Sequence, residues 1–314
     1  MKSKRKKTYY RRFKTGAMNH IYQRTVSRGI LFYSEIDALV CLSAIYVMAK
    51  RYDITIIAIC FMVDHIHLLV YTDSKDKMSI FVQEYTSVFA RKYNISISRE
   101  GAVFEPRFGS APKVSDKEIR TCTAYIYNNP VEKSLCSLAE DWKWNFLTFI
   151  DPDKGHVKYL KTFSRPFQRA HNAIKRANTD MEILNYSLLR KAFKEIKESE
   201  REIMTDFIIR QYLPIDFEEL LSYYEDKDSM FRYFHYSKAK EYDIKEEYDS
   251  SSDAIYTKMA EIISGIGKYK DVKEVIMLPD NDKMELAAYL TYYTSASTWQ
   301  IAKFLHTNTG QQSH

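Results

Sequence analysis

Two histidines lie one residue apart in the stretch Phe61-Met-Val-Asp-His-Ile-His-Leu-Leu-Val70. The apolar run around them is short, which favours a buried strand, and successive side chains of a strand point to opposite faces. His65 and His67 therefore share one face, where both imidazoles could bind the same metal ion. The alternative is that the two rings occupy the wet face of a half-covered sheet.

A tyrosine and an asparagine with matching geometry follow about sixty residues later, in Ala124-Tyr-Ile-Tyr-Asn-Asn-Pro130. This segment forms the end of a predicted helix, and residues four apart in a helix lie on one face. Tyr125 and Asn129 can thus present a phenol and an amide oxygen to the same point, whereas Tyr127 points elsewhere. Because the chain has 25 tyrosines, a packing role is the alternative for Tyr125.

The elements that must position these side chains follow from the hydrophobic pattern and the capping signals. A capping box opens a helix at Ser34 and another at Ser115, and Pro130 is predicted to end the latter. This order predicts an α+β fold in which an antiparallel sheet carries its helices on one face. The predicted elements are a strand (19–28), a helix (34–50), a strand (54–62), the histidine strand, a helix (78–94), a strand within 99–112 and a helix (115–128).

Taken together, the motifs resemble the single-tyrosine HUH transposases, and most closely the REP-associated tyrosine transposases. The resemblance covers roughly residues 17–150, which is about half of the chain. Four stretches carry it, in the same order: Asn19-His-Ile-Tyr-Gln-Arg-Thr-Val-Ser-Arg-Gly-Ile-Leu-Phe32, His65-Ile-His67, Val103-Phe-Glu-Pro-Arg-Phe-Gly109, and the Tyr-Ile-x-x-Asn-Pro-Val helix end that begins at Tyr125.

The resemblance implies a ferredoxin-like HUH domain that cuts and rejoins single-stranded DNA near imperfect hairpins. His65 and His67 match the metal-ligating histidines, and Asn129 matches the helix residue that completes the metal site. Tyr125 matches the nucleophile. The implied cofactor is Mg²⁺ or Mn²⁺, and the implied partner is single-stranded DNA with hairpin or palindromic sites. A homodimer is a further arrangement that members of this fold often adopt.

The chemistry of these residue types agrees with that function. Imidazole and amide-oxygen ligands suit Mn²⁺ or Mg²⁺ better than a structural zinc, and a divalent ion polarises a phosphodiester oxygen. Attack by Tyr125 on phosphorus would form a 5′-phosphotyrosine and release a 3′-hydroxyl, which can later reverse the reaction. Two alternatives stay open: a catalytically silent, domesticated transposase that binds nucleic acid, and a nickase of the rolling-circle initiator or relaxase type.

Two features depart from the family pattern. Asp64 stands directly before the histidines, where the family commonly has asparagine. It is either a turn residue only or a source of negative charge near the metal. The chain also continues well beyond residue 160, as an extension that the simpler family members lack.

Basic residues crowd the N-terminal arm, residues 1–16, and the whole chain has a net charge of +6. Basic side chains interleaved with aromatic rings suit phosphate contact and base stacking, whereas a disordered, solubilising tail is the alternative. Within the domain, Arg24, Arg28 and Arg107 are predicted to contact the DNA backbone, with solvated surface arginines as the alternative. The arm residues predicted to contact DNA are Lys4, Arg5, Lys6, Lys7, Arg11 and Arg12.

The cysteines and the hydropathy of the sequence indicate the cellular compartment of the protein. The four cysteines show no Cys-x-x-Cys pairing, and Cys41 and Cys60 lie in apolar runs, which predicts buried free thiols in a reducing compartment. The basic N-terminus lacks the apolar stretch of a signal peptide, and the longest apolar run, 54–63, is too short to cross a bilayer. We therefore expect a cytoplasmic protein with no membrane partner.

The carboxyl-terminal half is predicted to be all-helical. Asp151-Pro-Asp-Lys-Gly155 marks a boundary, which divides the sequence into the arm, a domain over 17–150, a linker over 151–164 and a helical region over 165–314. A polar stretch over 237–253 predicts a second linker. The capping box Ser297-Thr-Trp-Gln300 begins a segment that resembles the first helix of a helix-turn-helix. Helix packing and a DNA-binding role are both open for this region.

Overall fold

The computed structural model describes residues 12–237 and 252–307. Its first part alternates strands and helices, and its second part is helical. The strands are β1 (Met18–Arg24), β2 (Thr55–Phe61), β3 (His65–Tyr71) and β4 (Gly109–Lys113). The first three helices are α1 (Glu35–Tyr52), α2 (Lys75–Ser96) and α3 (Asp116–Glu132). The others are α4 (Arg165–Thr179), α5 (Tyr186–Glu195), α6 (Arg201–Tyr212), α7 (Phe217–Ser222), α8 (Lys227–Tyr236), α9 (Ala254–Ile266), α10 (Asp280–Tyr293) and α11 (Thr298–Leu305).

The four strands form one antiparallel sheet in the order β2-β3-β1-β4. Helix α1 connects β1 to β2, and α2 connects β3 to β4. This βαββαβ connectivity is the ferredoxin-like arrangement, so the predicted fold class is confirmed. The two central strands, β1 and β3, carry the residues that could do chemistry.

Helices cover both faces of the sheet, and not one face as predicted. Ile66, Leu68 and Val70 of β3 lie in the same apolar core as α1 and α2. Leu69, on the opposite face of β3, packs with Cys60 of β2 and with α3. The physical reason is the composition of β2, whose side chains are apolar on both faces and need cover on both.

Helix α3 continues past Pro130, although this proline was predicted to end it. Proline has no backbone N–H and forfeits one hydrogen bond of the helix. The loss falls in the last turn, where the chain is held by other bonds: the Lys133 N–H donates to the Asn129 carbonyl (3.1 Å), and the Leu135 N–H donates to the Pro130 carbonyl (2.9 Å). Asn129 therefore lies within the regular helix and not at its frayed end.

The predicted linker over 151–164 lies against α6. Arg210 donates from Nε to the Lys154 carbonyl at 2.7 Å, and a second bond runs to the Phe149 carbonyl at 2.9 Å. Gly155 has a φ of +80°, and a Cβ at this position would lie 2.4 Å from the Asp206 carbonyl oxygen. Only glycine fits this approach. The division of the chain at this segment stays a prediction, and most of the polar stretch 237–253 lies outside the described residues.

A buried ion pair joins the helical region to α1. Asp37 accepts hydrogen bonds from the Tyr33 and Ser34 N–H groups (both 3.0 Å) and thereby caps the first turn of α1. Its other oxygen contacts Lys273 Nζ at 2.5 Å and the Tyr186 hydroxyl at 2.8 Å. Lys273 is fully buried, so its charge is balanced only by the acids around it.

Replacing Lys273 with methionine should destabilise the whole chain, because the buried Asp37 carboxyl group would lose its cation and one of its hydrogen bonds. Breaking a buried pair in this way typically lowers the free energy of unfolding by about 3–5 kcal/mol. Urea denaturation followed by circular dichroism measures the effect. The control is Lys258→Met, which removes an exposed lysine of α9 and should leave the midpoint unchanged. A loss below about 1 kcal/mol for Lys273→Met would show that the pair contributes little.

Helix α11 contacts the connection between β1 and α1. The Tyr33 hydroxyl donates to the Phe304 carbonyl, and His306 Nε2 donates to the Ile30 carbonyl at 3.0 Å. A Cβ at Gly29 would lie 2.5 Å from His306 Nε2, so the close approach of the imidazole requires glycine there. Burial in this contact lowers the pKa of His306 to about 4.

Stability should therefore fall as the pH is lowered. Below its ordinary pKa of 6.5 the unfolded His306 takes up a proton, whereas the folded side chain does so only near pH 4. Between pH 7 and 5 this difference costs about 2 kcal/mol of unfolding free energy. Urea titrations at pH 7 and pH 5 measure the loss of unfolding free energy in the wild type and in His306→Gln. The contribution of His306 is the part of this loss that is absent from the variant. The exposed His156→Gln serves as control, and an unchanged pH dependence in His306→Gln would contradict the assignment.

Candidate functional site

The antiparallel pairing of β1 with β3 creates a polar strip on the side of the sheet that faces α3. We call it the histidine face; it consists of His20, Tyr22, Arg24, His65 and His67. Tyr22 lies directly opposite His67, and Arg24 lies opposite His65. The period of two within each strand places all five side chains on one side. The two histidines of β3 are together as predicted, with ring centroids 4.9 Å apart, and they are buried rather than wet.

Helix α3 brings Tyr125 and Asn129 to the histidine face. The helix starts at the predicted capping box, in which Ser115 and Glu118 cap each other. The Tyr125 ring lies 5.7 Å from the His67 ring, and the Asn129 amide nitrogen lies 3.3 Å from His67 Nε2. The spacing of four residues thus places both side chains over the same histidine. Tyr127 instead packs on Phe234.

His20 was not predicted as part of the site. Its Nε2 lies 3.0 Å from His67 Nδ1, the two rings are stacked, and its ring is 5.9 Å from that of Tyr125. With the Asn129 amide donating to His67 Nε2, the proton of His67 is assigned to Nδ1 and is donated to His20. The signal in the sequence was the alternation His20-x-Tyr22-x-Arg24 in the predicted first strand.

Tyr22 and Arg24 complete the histidine face. The Tyr22 ring lies 5.1 Å from His65 and 5.0 Å from His67, so it fixes the spacing of the two imidazoles. The Arg24 guanidinium lies over the Tyr22 ring at 5.0 Å. A cation over an aromatic face is attracted to it, which places a positive charge at the edge of the site.

Asp64 is paired on both sides. One carboxylate oxygen lies 2.5 Å from His65 Nδ1, and the other lies 3.0 Å from Lys303 Nζ of α11. Burial alone would raise the pKa of Asp64, but the charge of Lys303 and the hydrogen bond from His65 hold this pKa well below its usual range. The sequence left open whether Asp64 is only a turn residue; the contacts make it an ionised partner of His65.

The comparisons with known proteins agree with the resemblance. The family model described as "Transposase IS200 like" matches residues 14–129. After this similarity, we name residues 14–129 the transposase domain.

Two known proteins are similar to this transposase domain. A curated protein of Haemophilus influenzae, named as a candidate REP-associated tyrosine transposase, is 27% identical over 106 residues, which are 31% of this chain. The chain spans about 60% of the length of that relative. A solved structure, that of a REP-associated tyrosine transposase bound to a REP hairpin, is 20% identical with a TM-score of 0.38, and the match covers 44% of this chain and 81% of the other.

The donor atoms of the transposase domain suit a hard divalent ion. The protein would supply only part of the ligands of this ion. Within residues 12–237 and 252–307, no group of three or more His, Cys, Asp and Glu side chains is arranged to hold a metal. His65, His67 and Asn129 would therefore supply two imidazoles and one amide. A flip of the Asn129 amide exchanges nitrogen for oxygen at the same place and offers the oxygen that Mg²⁺ or Mn²⁺ prefers. The closed thiolate set of a structural zinc site is likewise not formed among these described residues.

The residues predicted to contact DNA lie in different places. Arg24 flanks the histidine face, and Arg107 is exposed on the loop before β4. Arg12 is exposed, and its carbonyl accepts a hydrogen bond from the Ser110 hydroxyl at 2.7 Å, which joins the arm to β4. Their roles stay predictions. The remaining arm residues, namely Lys4, Arg5, Lys6, Lys7 and Arg11, lie outside the described residues.

Arg28 does not share a face with Arg24, because β1 ends at Arg24 and the chain turns. Both Ser27 and Arg28 have positive φ angles, at 56°. Arg28 lines a cavity of about 550 Å³ between this turn and α11, together with Arg99, Lys303 and His306. The structure thus places Arg28 beside the helical region.

Cys41, Cys60 and Cys122 are buried as thiols, and none of them forms a disulfide. None of the helices formed by residues 12–237 and 252–307 is long and apolar enough to span a bilayer.

Proposed function

We propose that this chain is a metal-dependent single-tyrosine strand transferase, which cuts and rejoins single-stranded DNA near hairpins through a 5′-phosphotyrosine. The observation that carries the proposal is the meeting of two elements. Helix α3 brings Tyr125 and Asn129 over His67, and β3 supplies His65 on the same face. A nucleophile, two imidazoles and an amide within one small volume are the parts that phosphoryl transfer needs.

Each residue has a distinct task in the proposed reaction. The Tyr125 oxygen attacks the phosphorus of the scissile phosphodiester, the bond to the leaving 3′-oxygen breaks, and the DNA is held as a 5′-phosphotyrosine. His65, His67 and Asn129 would hold Mg²⁺ or Mn²⁺, which supplies polarisation of a phosphodiester oxygen when it is bound. Reversal by a 3′-hydroxyl rejoins the strands without an external energy source, because the phosphodiester energy is kept in the covalent link.

Neighbouring side chains orient these groups. His20 accepts a hydrogen bond from His67 Nδ1. The other nitrogen of His67, Nε2, then faces Asn129. Arg24, over the Tyr22 ring, is placed to contact a phosphate of the bound strand. Tyr125 is 7% exposed, so its ring is held by the packing of α3 on the sheet.

The hydroxyl of Tyr125 is the first group to test. Tyr125→Phe keeps the ring that packs on His20 and His67 but removes the attacking oxygen, so the covalent protein–DNA adduct should disappear. The measurement is gel separation of labelled hairpin DNA after incubation with the protein and Mn²⁺. Tyr127→Phe, two residues along the same helix, is the matched control and should form adduct as the wild type does.

Abundant adduct with Tyr125→Phe would disprove the assignment of the nucleophile. If the wild-type protein binds hairpins tightly but forms no adduct with any divalent metal, the protein is the catalytically silent binder instead.

His20 provides a second test, directed at the metal. His20→Phe keeps the stacked ring and removes the acceptor for the His67 Nδ1 proton. Loss of such a partner typically lowers metal affinity by about 10–100-fold. Isothermal titration with Mn²⁺ measures the change in the absence of DNA. His171→Phe, which alters a ring stacked on Phe207 in the helical region, should bind Mn²⁺ normally. Equal Mn²⁺ affinity in the wild type and in His20→Phe would show that His20 has no part in the metal site.

A further inference from the structure

Asp64 is the point at which the helical region reaches the proposed metal site. Its carboxylate lies between His65 Nδ1 (2.5 Å) and Lys303 Nζ (3.0 Å). Asp64 is 6% exposed, and the Lys303 side chain is 8% exposed, so water screens neither charge to a large extent. The three side chains therefore form a chain of contacts from α11 to β3.

The position of Lys303 is fixed by its own helix. A capping box between Ser297 and Gln300 starts α11, and Phe304 beside the lysine is buried in the main core. The ammonium group lies 5.1 Å from the Tyr256 ring and 5.2 Å from the Trp299 ring. Both rings attract the ammonium group and help to hold it at this place.

The contact with Asp64 decides how His65 can act. A carboxylate accepts hydrogen bonds only, so His65 must carry a proton on Nδ1, and Nε2 is then the unprotonated nitrogen, which is the form that ligates a metal. Histidine ligands commonly donate their second N–H to a carboxylate, which fixes the ring and increases its basicity. The second oxygen of Asp64 contacts the Lys303 ammonium group, and this ion pair holds the carboxylate in place against His65.

We propose that Lys303 is a positioning residue for the metal site: through Asp64, helix α11 holds His65 in the orientation and tautomer that ligation requires. The helical region is then an integral part of the site, although Lys303 lies more than two hundred residues after Asp64 along the chain. This inference rests on the proposed function, because it assigns a partner to one of its metal ligands.

A double-mutant cycle tests the coupling. Lys303→Met removes the ammonium group whose charge holds the Asp64 carboxylate against His65, and Asp64→Asn leaves an uncompensated cation near the metal. The double variant Asp64→Asn/Lys303→Met leaves no buried charge, and the asparagine oxygen can still accept the His65 Nδ1 proton. Each single variant should therefore bind Mn²⁺ about 10-fold or more weakly, whereas the double variant should return to within about threefold of the wild type.

Mn²⁺ affinity is measured by isothermal titration without DNA, and thermal unfolding by circular dichroism is recorded for every variant. Lys258→Met, at an exposed position of α9, is the control and should match the wild type in both measurements. Should Lys303→Met fail to fold, Lys303→Gln takes its place, because its amide can still donate to Asp64 but carries no charge.

The outcomes separate this inference from the proposed function. Folded single variants that bind Mn²⁺ as the wild type does, or a double variant in which the two losses add, would overturn the role of Lys303. If the wild type binds Mn²⁺ with the expected coupling but forms no covalent adduct with hairpin DNA, the strand-transferase proposal fails and the coupling stands. A wild-type protein without measurable Mn²⁺ binding would overturn both.

Discussion

The contact between α3 and the histidine face of the sheet is the interaction on which the candidate site depends. Neither element contains the site by itself: β3 carries His65 and His67, and α3 carries Tyr125 and Asn129. The 3.3 Å approach of the Asn129 amide to His67 Nε2 exists only because α3 packs against the face of the sheet opposite to α1 and α2. The apolar side chains around the polar groups, such as Leu69 and Cys60, hold the two layers at that distance.

Burial fixes the positions of the polar side chains at this contact. A buried imidazole needs a partner for each N–H that it carries, so the ring of His67 is held between His20 on one side and Asn129 on the other. Tyr22 fills the space between the two imidazoles of β3. Side chains that are held in this way lose little freedom when a ligand binds, which is the physical basis of a preorganised site.

The helical region contributes buried cations to a domain that is otherwise formed by the first half of the chain. Lys273 balances Asp37 at the start of α1, and Lys303 balances Asp64 at the start of β3. In both pairs the acid belongs to the transposase domain and the base to the helical region. Because an unpaired buried charge is costly, each pair favours the docked arrangement of the two parts. This pattern gives the extension a structural role at two separate points of the domain.

Much of this architecture could be predicted from the chain alone, because the signals are local. The period of two in β3 put His65 and His67 on one face, the spacing of four put Tyr125 and Asn129 on one face, and the capping boxes at Ser34 and Ser115 marked helix starts that the structure confirms. Pro130 was wrongly predicted to end α3, since a proline in a last turn removes only one hydrogen bond and the local rule does not say how the rest of the turn is held.

Other features depend on which elements meet. The alternation of His20, Tyr22 and Arg24 was visible, but its significance required the register in which Tyr22 pairs with His67. The partnership of Asp64 with Lys303 spans more than two hundred residues and leaves no periodic signal in the sequence. The sequence by itself therefore determined the residue types and the faces on which they lie. Only the tertiary structure decided which faces meet and which charges pair, because contacts between distant segments are selected by packing and burial of the whole chain.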